Sequence, residues 1–471
     1  MADAVFKPPK GGKGDFGGAA PPLREGDKVA KMVADMNQSY ALVLVGAKAV
    51  VLHEDVDEDG QPVLRFLSIA AFEQWWRNHV LWLPGQPRPT SFADAWLDSA
   101  QRRQYSRVVF EPGRELDGCY NLWRGFAVDP DSTGDFSIYR DHVLNNVCHG
   151  DDGLYRWVMG WFAHMVQKPR AKLGTALVLR GKQGTGKTKV GEVIGRLFPA
   201  HYSLVDEPRY ITGQFNDHME SCLLLQADEG FWAGDKQAEG RLKGLVTSKV
   251  QYIERKGIDA IKVKNYLRLM ISSNNDWVIP AGFEERRFGV LDVGDHCMQN
   301  SDYFREMDEQ LDGGGLAGLL HYLLTFDLDC VDLRAIPATA GLLEQKLDTM
   351  EDVDAWWYER LRAGGLLPGH VEWRSGAEDD DDAWVSSDGL YQAYVKWAEK
   401  IGIKRRRTDG QFGKKLRRWV SGLVRKQRTH TYETDDGLTA RRRMWCLRFP
   451  TLDECRAQFE DIVRQPVNWE E

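Results

Sequence analysis

The stretch Gly181-Lys-Gln-Gly-Thr-Gly-Lys-Thr188 constrains the fold of this chain more than any other segment. It matches the pattern G-x-x-x-x-G-K-[ST] in full, follows the apolar run 176–180 and precedes a helix-compatible stretch at 190–198. A glycine-rich loop between a strand and a helix turns its backbone N–H groups toward a phosphate, and the helix N-terminus adds positive potential. The sequence therefore predicts a nucleoside triphosphate site. Its predicted binding residues are Gly181, Gln183, Gly184, Thr185, Gly186, Lys187 and Thr188.

Two carboxylates at 228 and 229 fit the same chemistry. In this pattern Lys187 reaches the β- and γ-phosphates and Thr188 holds Mg²⁺. The apolar run 221–227 ends in Asp228 and Glu229, where the first acid would order the Mg²⁺ shell and the second would polarise the attacking water. An apolar run that ends in acids is a weak signal alone, because strands often end in solvated acids. Because this run follows a glycine-rich loop in the sequence, however, its two acids predict hydrolysis of ATP with Mg²⁺ as cofactor.

Two further polar positions follow apolar or strand-like runs. Asn274 ends the run 266–273 and could sense the γ-phosphate or the lytic water, although Asn-Asn-Asp could equally form a plain turn. Arg286 and Arg287 precede the strand-like run 289–293. An arginine so placed can stabilise transition-state charge in a neighbouring subunit, and the alternative is a solvated arginine pair. The sequence does not distinguish Arg286 from Arg287 for this role.

The order of these elements resembles that of the superfamily 3 helicases of the AAA+ class. More closely, the chain looks like the primase-helicase family proteins of bacteriophages and prophages, which are related to poxvirus primase-helicases. The resemblance covers about 117–295 and implies an AAA+ ATPase core that assembles as a ring, usually a hexamer, and moves along one DNA strand in the host cytoplasm. The segments that carry it are Asn121–Phe126, Gly181–Thr188, Asp228–Ala238, Asn274–Gly282 and Glu285–Phe288.

The same family places a DNA-contacting hairpin between the acidic strand end and the asparagine. Alternation at 251–254 and 261–264 predicts a hairpin here. By position Lys256 is similar to the family's hairpin lysine, and it would pair with DNA phosphates in a ring pore. Lys262 and Lys264 are further candidates. The alternative is an ordinary solvated hairpin turn.

The charge of the chain is unevenly distributed. The formal net charge is −8, but residues 396–443 carry 16 Lys and Arg against 5 Asp and Glu, a net of +11 that leaves −19 elsewhere. A helix near 387–399, a basic helix near 411–419 and a hairpin around 424–448 have the layout of a winged helix, which predicts a C-terminal DNA-binding domain. Its candidate DNA contacts are Arg405, Arg406, Lys414, Lys415 and Arg418.

The expected fold is α/β, with an AAA+ phosphate-loop ATPase core between a small α+β N-terminal domain and a C-terminal winged-helix-like domain. No apolar run near 18 residues and no N-terminal signal pattern occur, so we expect a cytoplasmic protein without a membrane span. The predicted units are a disordered tail at 1–24, the α+β domain at 25–115, a helical region at 116–170, the ATPase core at 171–326, a helical segment with an acidic linker at 327–382, and the basic domain at 383–471.

These patterns predict a DNA helicase that acts on single-stranded and forked DNA, and two alternatives stay open. A bifunctional primase-helicase would need clustered carboxylates for two metal ions, and Glu54–Gly60 is the local candidate. This segment also reads as an acidic hairpin turn. The other alternative is an origin-binding or loader ATPase that assembles other replication proteins without unwinding DNA.

Overall fold

A computed structural model describes residues 25–58, 62–82, 87–207, 209–213, 216–228, 236–255, 258–275, 278–279, 282, 285–367, 373, 375–376, 380, 383–433 and 439–470. Three predictions fall outside these residues: the disordered tail at 1–24, the role of Glu229 and the role of Lys256. Within the described ranges, no helix combines the length and apolar character needed to cross a bilayer.

The N-terminal unit is a four-stranded sheet covered by three helices. Strand order is β3-β2-β1-β6, with β1 antiparallel to β2 and parallel to β6. Ser68 and Ser91 cap α2 and α3 by accepting the backbone N–H groups of Ala71 and Asp94. Its elements are α1 (Glu25–Asn37), β1 (Tyr40–Val45), β2 (Lys48–Val56), β3 (Pro62–Leu67), α2 (Ile69–Trp76), β4 (Val80–Leu81), β5 (Thr90–Ser91), α3 (Phe92–Leu97), β6 (Gln104–Tyr105), β7 (Arg107–Val109) and β8 (Cys119–Asn121).

The structure extends this unit past the predicted boundary and separates its tryptophans by exposure. The boundary predicted at 115 falls between β7 and β8, which pair in parallel, so the pairing continues to 121. The tryptophans at 75, 76 and 82 differ in how they pack. Only Trp76 packs inside the chain, against Tyr40 and Phe92, whereas Trp75 and Trp82 are 69% and 68% exposed.

A helical region joins this unit to the central sheet. Asp151 caps the longest helix by accepting the Leu154 N–H, and the helix buries one side almost completely under the sheet. A π-helix between the other two helices packs against the glycine-rich loop. The elements are α4 (Ser137–Asp141), the π-helix His142–Val147 and α5 (Asp152–Gln167).

His201 ties this region to the central sheet through a fixed tautomer. Its Nδ1–H donates to the Ser221 carbonyl at 2.9 Å, and its Nε2 accepts the Arg124 backbone N–H at 2.8 Å. The ring is therefore neutral, and burial lowers the pKa of His201 to about 4. Protonation would remove the acceptor that Arg124 uses.

The free energy of unfolding should therefore fall as the pH falls. An unfolded histidine titrates near 6.5 and the folded one near 4, so the stability from neutral His201 is present above about pH 6.5 and is lost toward pH 4, at a cost of up to roughly 3 kcal/mol. Urea unfolding at pH 7 and pH 5 measures this slope. A His201→Gln variant should be less stable at pH 7 and show a shallower slope. An unchanged slope in the variant would contradict this assignment.

The centre of the molecule is a five-stranded parallel sheet. Strand order is β10-β11-β14-β9-β15, and all four neighbouring pairs are parallel. Apolar residues fill both faces, as expected for a parallel sheet covered by helices. The elements are β9 (Ala176–Arg180), α6 (Lys187–Gly195), β10 (Tyr202–Val205), α7 (Arg209–Thr212), β11 (Leu224–Asp228), α8 (Lys236–Thr247), β12 (Val250–Arg255), β13 (Ile258–Lys264), β14 (Arg268–Ser273) and β15 (Phe288–Asp292).

Two helices then return to the sheet, and two more lead toward the C-terminus. Asn300 caps the first by accepting the Tyr303 N–H, and Thr339 caps the third by accepting the Leu342 N–H. The four helices are α9 (Ser301–Gln310), α10 (Leu316–Thr325), α11 (Ala340–Asp348) and α12 (Asp352–Ala363).

The C-terminal unit combines helices with a three-stranded antiparallel sheet of order β16-β18-β17. Its core includes Trp356 and Trp357 from α12, which pack on Phe412 and Phe449 respectively. The boundary predicted at 383 therefore separates α12 from the unit in which it packs. The remaining elements are β16 (Trp384–Ser386), α13 (Ser387–Lys400), α14 (Asp409–Trp419), β17 (Val424–Glu433), β18 (Thr439–Arg448) and α15 (Leu452–Val463).

Candidate nucleotide-binding site

The glycine-rich loop lies between the end of β9 and the start of α6. Gly184 and Gly186 have φ angles of +78° and +82°, a region that residues with a Cβ rarely adopt. A Cβ on Gly186 would also lie 2.6 Å from Cε1 of His142. Thr185 Oγ1 donates to the Lys182 carbonyl at 2.9 Å and closes the loop on itself. Backbone N–H groups in such a compact loop can face an anion.

Lys187 lies inside this loop and is only 6% exposed. Its Nζ donates to the carbonyls of Gly181 at 2.8 Å and Lys182 at 2.5 Å, and to Oδ1 of Asn274 at 2.8 Å. Asn274 directly follows β14, which is hydrogen-bonded to β9. Adjacent parallel strands thus bring Lys187 and Asn274 together, although 87 positions separate them in the chain.

Thr188 and Asp228 form a second pair in the same place. Thr188 Oγ1 donates to Oδ1 of Asp228 at 3.0 Å, and Asp228 ends β11 on the other side of β14. Mg²⁺ is usually held by one or two carboxylates together with substrate phosphates. A hydroxyl and a carboxylate beside a phosphate loop fit that requirement. Among the described residues, no group of three or more His, Cys, Asp and Glu side chains could hold a metal by itself.

These side chains open into one cleft of about 340 Å³ at the carboxyl ends of β9, β11 and β14. Phe304 from α9 forms an apolar wall opposite the lysine. The strand order places the cleft just outside the carboxyl ends of the parallel strands, where ligands of open α/β sheets commonly bind. The residues that line it are Gln183, Gly184, Gly186, Lys187, Thr188, Lys189, Asp228, Asn274 and Phe304.

Gln226 supports the cleft from below, and the sequence reasoning missed it. Its Nε2 donates to the Thr188 carbonyl at 3.0 Å and to Ser272 Oγ at 3.1 Å, and its Oε1 accepts from Tyr202 OH at 2.8 Å. The residue is fully buried. A lone glutamine inside the apolar run 222–227 was the available signal, because a buried amide requires partners.

The π-helix supports the loop from the opposite side, and this contact was also missed. Asn146 Nδ2 donates to the Thr185 carbonyl at 2.9 Å, and His142 Nε2 lies 3.4 Å from the Gly186 carbonyl. Burial lowers the pKa of His142 to about 4, so this ring is neutral near pH 7. The π-helix places His142 and Asn146 on the same face. No periodic pattern in the sequence predicts a π-helix at this position.

Replacing Asn146 with alanine should weaken both folding and nucleotide binding. The change removes the amide donor of the buried Thr185 carbonyl and leaves it the weaker Cys297 S–H donor at 3.6 Å, a loss of about 1–3 kcal/mol that also frees the loop to move. Urea unfolding and the KM for ATP measure the two effects. Asn145→Ala is the matched control, because the neighbouring asparagine is exposed. Equal KM values for the two variants would exclude a positioning role for Asn146.

The arginine pair is placed at the far edge of the sheet. Glu285 accepts the backbone N–H groups of Arg286 at 2.9 Å and Arg287 at 2.6 Å, which fixes the chain just before β15. The Arg286 side chain is exposed, whereas Arg287 is half-buried with Nη1 3.7 Å from Glu285. Since β15 runs parallel to β9, both arginines lie at the amino edge and the glycine-rich loop lies at the carboxyl edge.

The predicted hairpin is present as β12 and β13, which pair antiparallel. Lys262 is exposed and pairs in register with Tyr252. Lys264 lies at the end of β13 remote from the turn, and its ammonium forms an ion pair with Glu111. Lys264 stays a candidate for DNA contact, and its ammonium already has an acidic partner inside the chain. Lys256 lies outside the described residues.

The five basic candidates of the C-terminal unit divide into two groups. Arg406 pairs with Glu399, and Lys415 pairs with Glu351 and with Asp354 at 3.3 Å. These two cations thus have acidic partners inside the chain, and their contact with DNA stays a prediction. The exposed cations for which the described part of the chain shows no ion pair are Arg405, Lys414 and Arg418.

In the acidic segment considered for a primase, the described carboxylates of Glu54 and Asp55 pair with arginines. Glu54 accepts from Nη1 of Arg103 at 2.8 Å, and Asp55 pairs with Arg65 at 3.2 Å. Burial raises the pKa of Glu54, but hydrogen bonds from Arg103 and Tyr120 outweigh it and hold the pKa below its usual range. These two acids therefore serve the N-terminal sheet, while Gly60 lies beyond the described residues.

Comparison with known proteins connects this architecture to phage replication proteins. Residues 179–287, which span the loop and the arginine pair, match a family of unknown function (DUF5906). The chain is 23% identical to a DNA primase-polymerase of Nitratiruptor phage NrS-1 over 230 residues, which are 46% of this chain and 32% of that relative's length.

Two solved structures of the NrS-1 C-terminal region share the fold. An A form apo structure has a TM-score of 0.60 at 15% identity and covers 88% of this chain and 98% of that one. A second apo structure has a TM-score of 0.60 at 16% identity, with 90% and 98% covered. The chain therefore has the fold of that C-terminal region across nearly its whole length.

Proposed function

We propose that this chain is an ATP hydrolase that drives movement along DNA, as a replicative helicase of the superfamily 3, AAA+ type. One observation carries the proposal. Lys187, Asn274 and the Thr188–Asp228 pair open into a single cleft at the carboxyl ends of three adjacent parallel strands. The similarity to a phage primase-polymerase supports a role in DNA replication.

The described residues suggest how ATP would be held. Lys187 would donate to the β- and γ-phosphate oxygens, and Asn274, which now accepts from that lysine, would report the state of the γ-phosphate. Thr188 and Asp228 would hold Mg²⁺, which neutralises charge on the phosphates when bound. We assign Glu229 the task of orienting water.

The position of the arginines supports a reaction at a subunit boundary. Arg286 lies at the amino edge of the sheet, and five residues of β9 at about 3.3 Å each separate that edge from the loop by about 16 Å. Arg286 therefore cannot reach the phosphates held by its own chain. We propose a ring, of which a hexamer is the family's usual form, in which Arg286 serves the neighbouring nucleotide.

Two surfaces would contact DNA in this proposal. The β12–β13 hairpin carries the exposed Lys262, and we assign Lys256, which follows β12 in the sequence, to the pore. In the C-terminal unit, we assign the helices α13 and α14 and the β17–β18 hairpin to a winged-helix-like domain that binds DNA.

A strand-displacement assay tests the function. The full chain with a tailed duplex should release the labelled strand with ATP and Mg²⁺, and should not release it when Mg²⁺ is chelated. ATP hydrolysis without strand release would favour the loader alternative. Absence of hydrolysis in the presence of DNA would refute the proposal altogether.

A further inference from the structure

The three-stranded sheet has two tryptophans on opposite faces, Trp384 on β16 and Trp445 on β18, and they differ in exposure. Trp384 is 2% exposed, and the guanidinium groups of Arg428 and Arg448 lie over its ring at 4.9 and 5.8 Å from the centroid. Trp445 is 45% exposed, with Arg425 4.7 Å from its centroid. A large indole that stays this open on a strongly basic hairpin offers a free face to a ligand.

A groove between α14 and β17 is lined by Arg425, the residue whose guanidinium lies over the Trp445 ring. Leu447, two residues further along the same strand face, packs on the helical core and lines this groove of about 230 Å³. Arg425 stands opposite Leu447 in the register, so its guanidinium connects the groove to the tryptophan. The polar and charged residues that line the groove are Ser387, Asp409, Lys414, Arg417 and Arg425.

The charge of the groove favours a polyanion. Lys414, Arg417 and Arg425 are exposed cations, and Asp409 is the single acid among the lining residues. Lys415, beside them on α14, instead turns to Glu351. On α14, Lys415 therefore stabilises the fold, whereas Lys414 and Arg417 face solvent. Phosphate groups spaced along a strand fit such a groove.

We propose that this groove and Trp445 hold an unpaired DNA strand, with its phosphates on Lys414, Arg417 and Arg425 and a base stacked on the indole. A base can present its face only when it is not already stacked on both sides, so the ligand is single-stranded. Stacking on an aromatic ring tolerates any base sequence. This inference rests on the proposed DNA function and names the form of DNA that the C-terminal unit binds.

Fluorescence anisotropy with labelled oligonucleotides tests the stacking. Trp445→Ala in the full chain should bind a single strand about tenfold more weakly, and Trp445→Phe should recover most of that loss. On a strand with abasic sites, which keeps the phosphates, Trp445→Ala and the unchanged protein should bind alike. An equal loss on both strands, or no loss on either, would overturn the proposal. Because the ring is exposed, thermal melts should be unchanged.

Adjacent positions on β17 give a matched charge control. Arg425→Ala should weaken binding and lower the salt dependence by about one phosphate contact, whereas Lys426→Ala, on the opposite face, should change it less. Equal effects would reject the groove. Repeating the series without nucleotide in a Lys187→Ala background separates this site from the ATPase. If Arg425→Ala still binds DNA more weakly than Lys426→Ala in that background, the groove binds DNA even when the proposed motor function is wrong. If the difference in affinity disappears, it depends on the ATPase and the groove proposal is rejected.

Discussion

Replacing Arg286 with alanine is expected to lower kcat for ATP hydrolysis by on the order of a thousandfold, while nucleotide binding is retained. The guanidinium would stabilise charge that develops on the γ-phosphate only in the transition state, so its loss affects turnover rather than the bound ground state. The ATPase rate and the Kd of a fluorescent ATP analogue measure the two quantities separately.

Arg287→Ala is the control that the structure provides. Arg287 has the same charge one residue away, but its side chain is half-buried against Glu285. We expect this variant to lose some stability and to keep most of its turnover. Normal turnover in Arg286→Ala, together with inactive Arg287→Ala, would transfer the role to Arg287.

A mixture of subunits tests whether Arg286 acts on a neighbour. A Lys187→Ala subunit cannot cradle ATP but still carries Arg286, whereas an Arg286→Ala subunit has the opposite defect. Mixed rings should therefore hydrolyse ATP at those boundaries where an intact loop meets an intact arginine. If the mixture is as inactive as each variant alone, although hetero-oligomers form, the arginine does not act in trans.

The local elements of the central region could be predicted because each has its own sequence signal. The glycine-rich loop has a fixed spacing, and β9, β11 and β14 are apolar runs that end in polar residues. Period-two alternation predicted the β12–β13 hairpin, which is present.

Contacts between distant segments could not be predicted from one sequence. The support of the loop by Asn146 depends on a π-helix that no period reveals, and the bond between Gln226 and Thr188 needs the helix to lie on the strand. Ion pairing is similarly hidden. Lys264 in the predicted hairpin and Lys415 in the predicted basic helix form ion pairs with Glu111 and Glu351, which lie far away in the chain.

Packing between distant segments also bears on the predicted domain boundaries. The acidic composition of 376–382 suggested a linker, so α12 was assigned to the preceding segment. Its tryptophans 356 and 357 instead complete the aromatic core of the C-terminal unit. Composition shows which segments of a chain are polar. The boundary of a domain depends instead on which apolar helix and sheet faces pack together.

Replacing Lys187 with alanine should abolish ATP hydrolysis, with a fall of at least about a hundredfold, and should weaken ATP binding. Among the described residues that line the cleft, Lys187 is the one buried cation, and its ammonium already contacts three oxygens that hold the loop and the end of β14 together. The substitution therefore removes a phosphate-binding group and, at the same time, the hydrogen bond that positions Asn274. Isothermal titration with ATP and the steady-state ATPase rate measure these effects.

Lys182→Ala is the matched control for this change, because it removes the same charge from the same loop. Its side chain is exposed and its ammonium pairs with Asp295 at 2.7 Å, at the surface rather than in the cleft. We expect its kcat to stay within a few-fold of the unchanged protein, as surface ion pairs contribute little. Should Lys182→Ala abolish turnover while Lys187→Ala retains it, the phosphate cradle would be formed differently from the arrangement described above, and the ATPase assignment would lose its central residue.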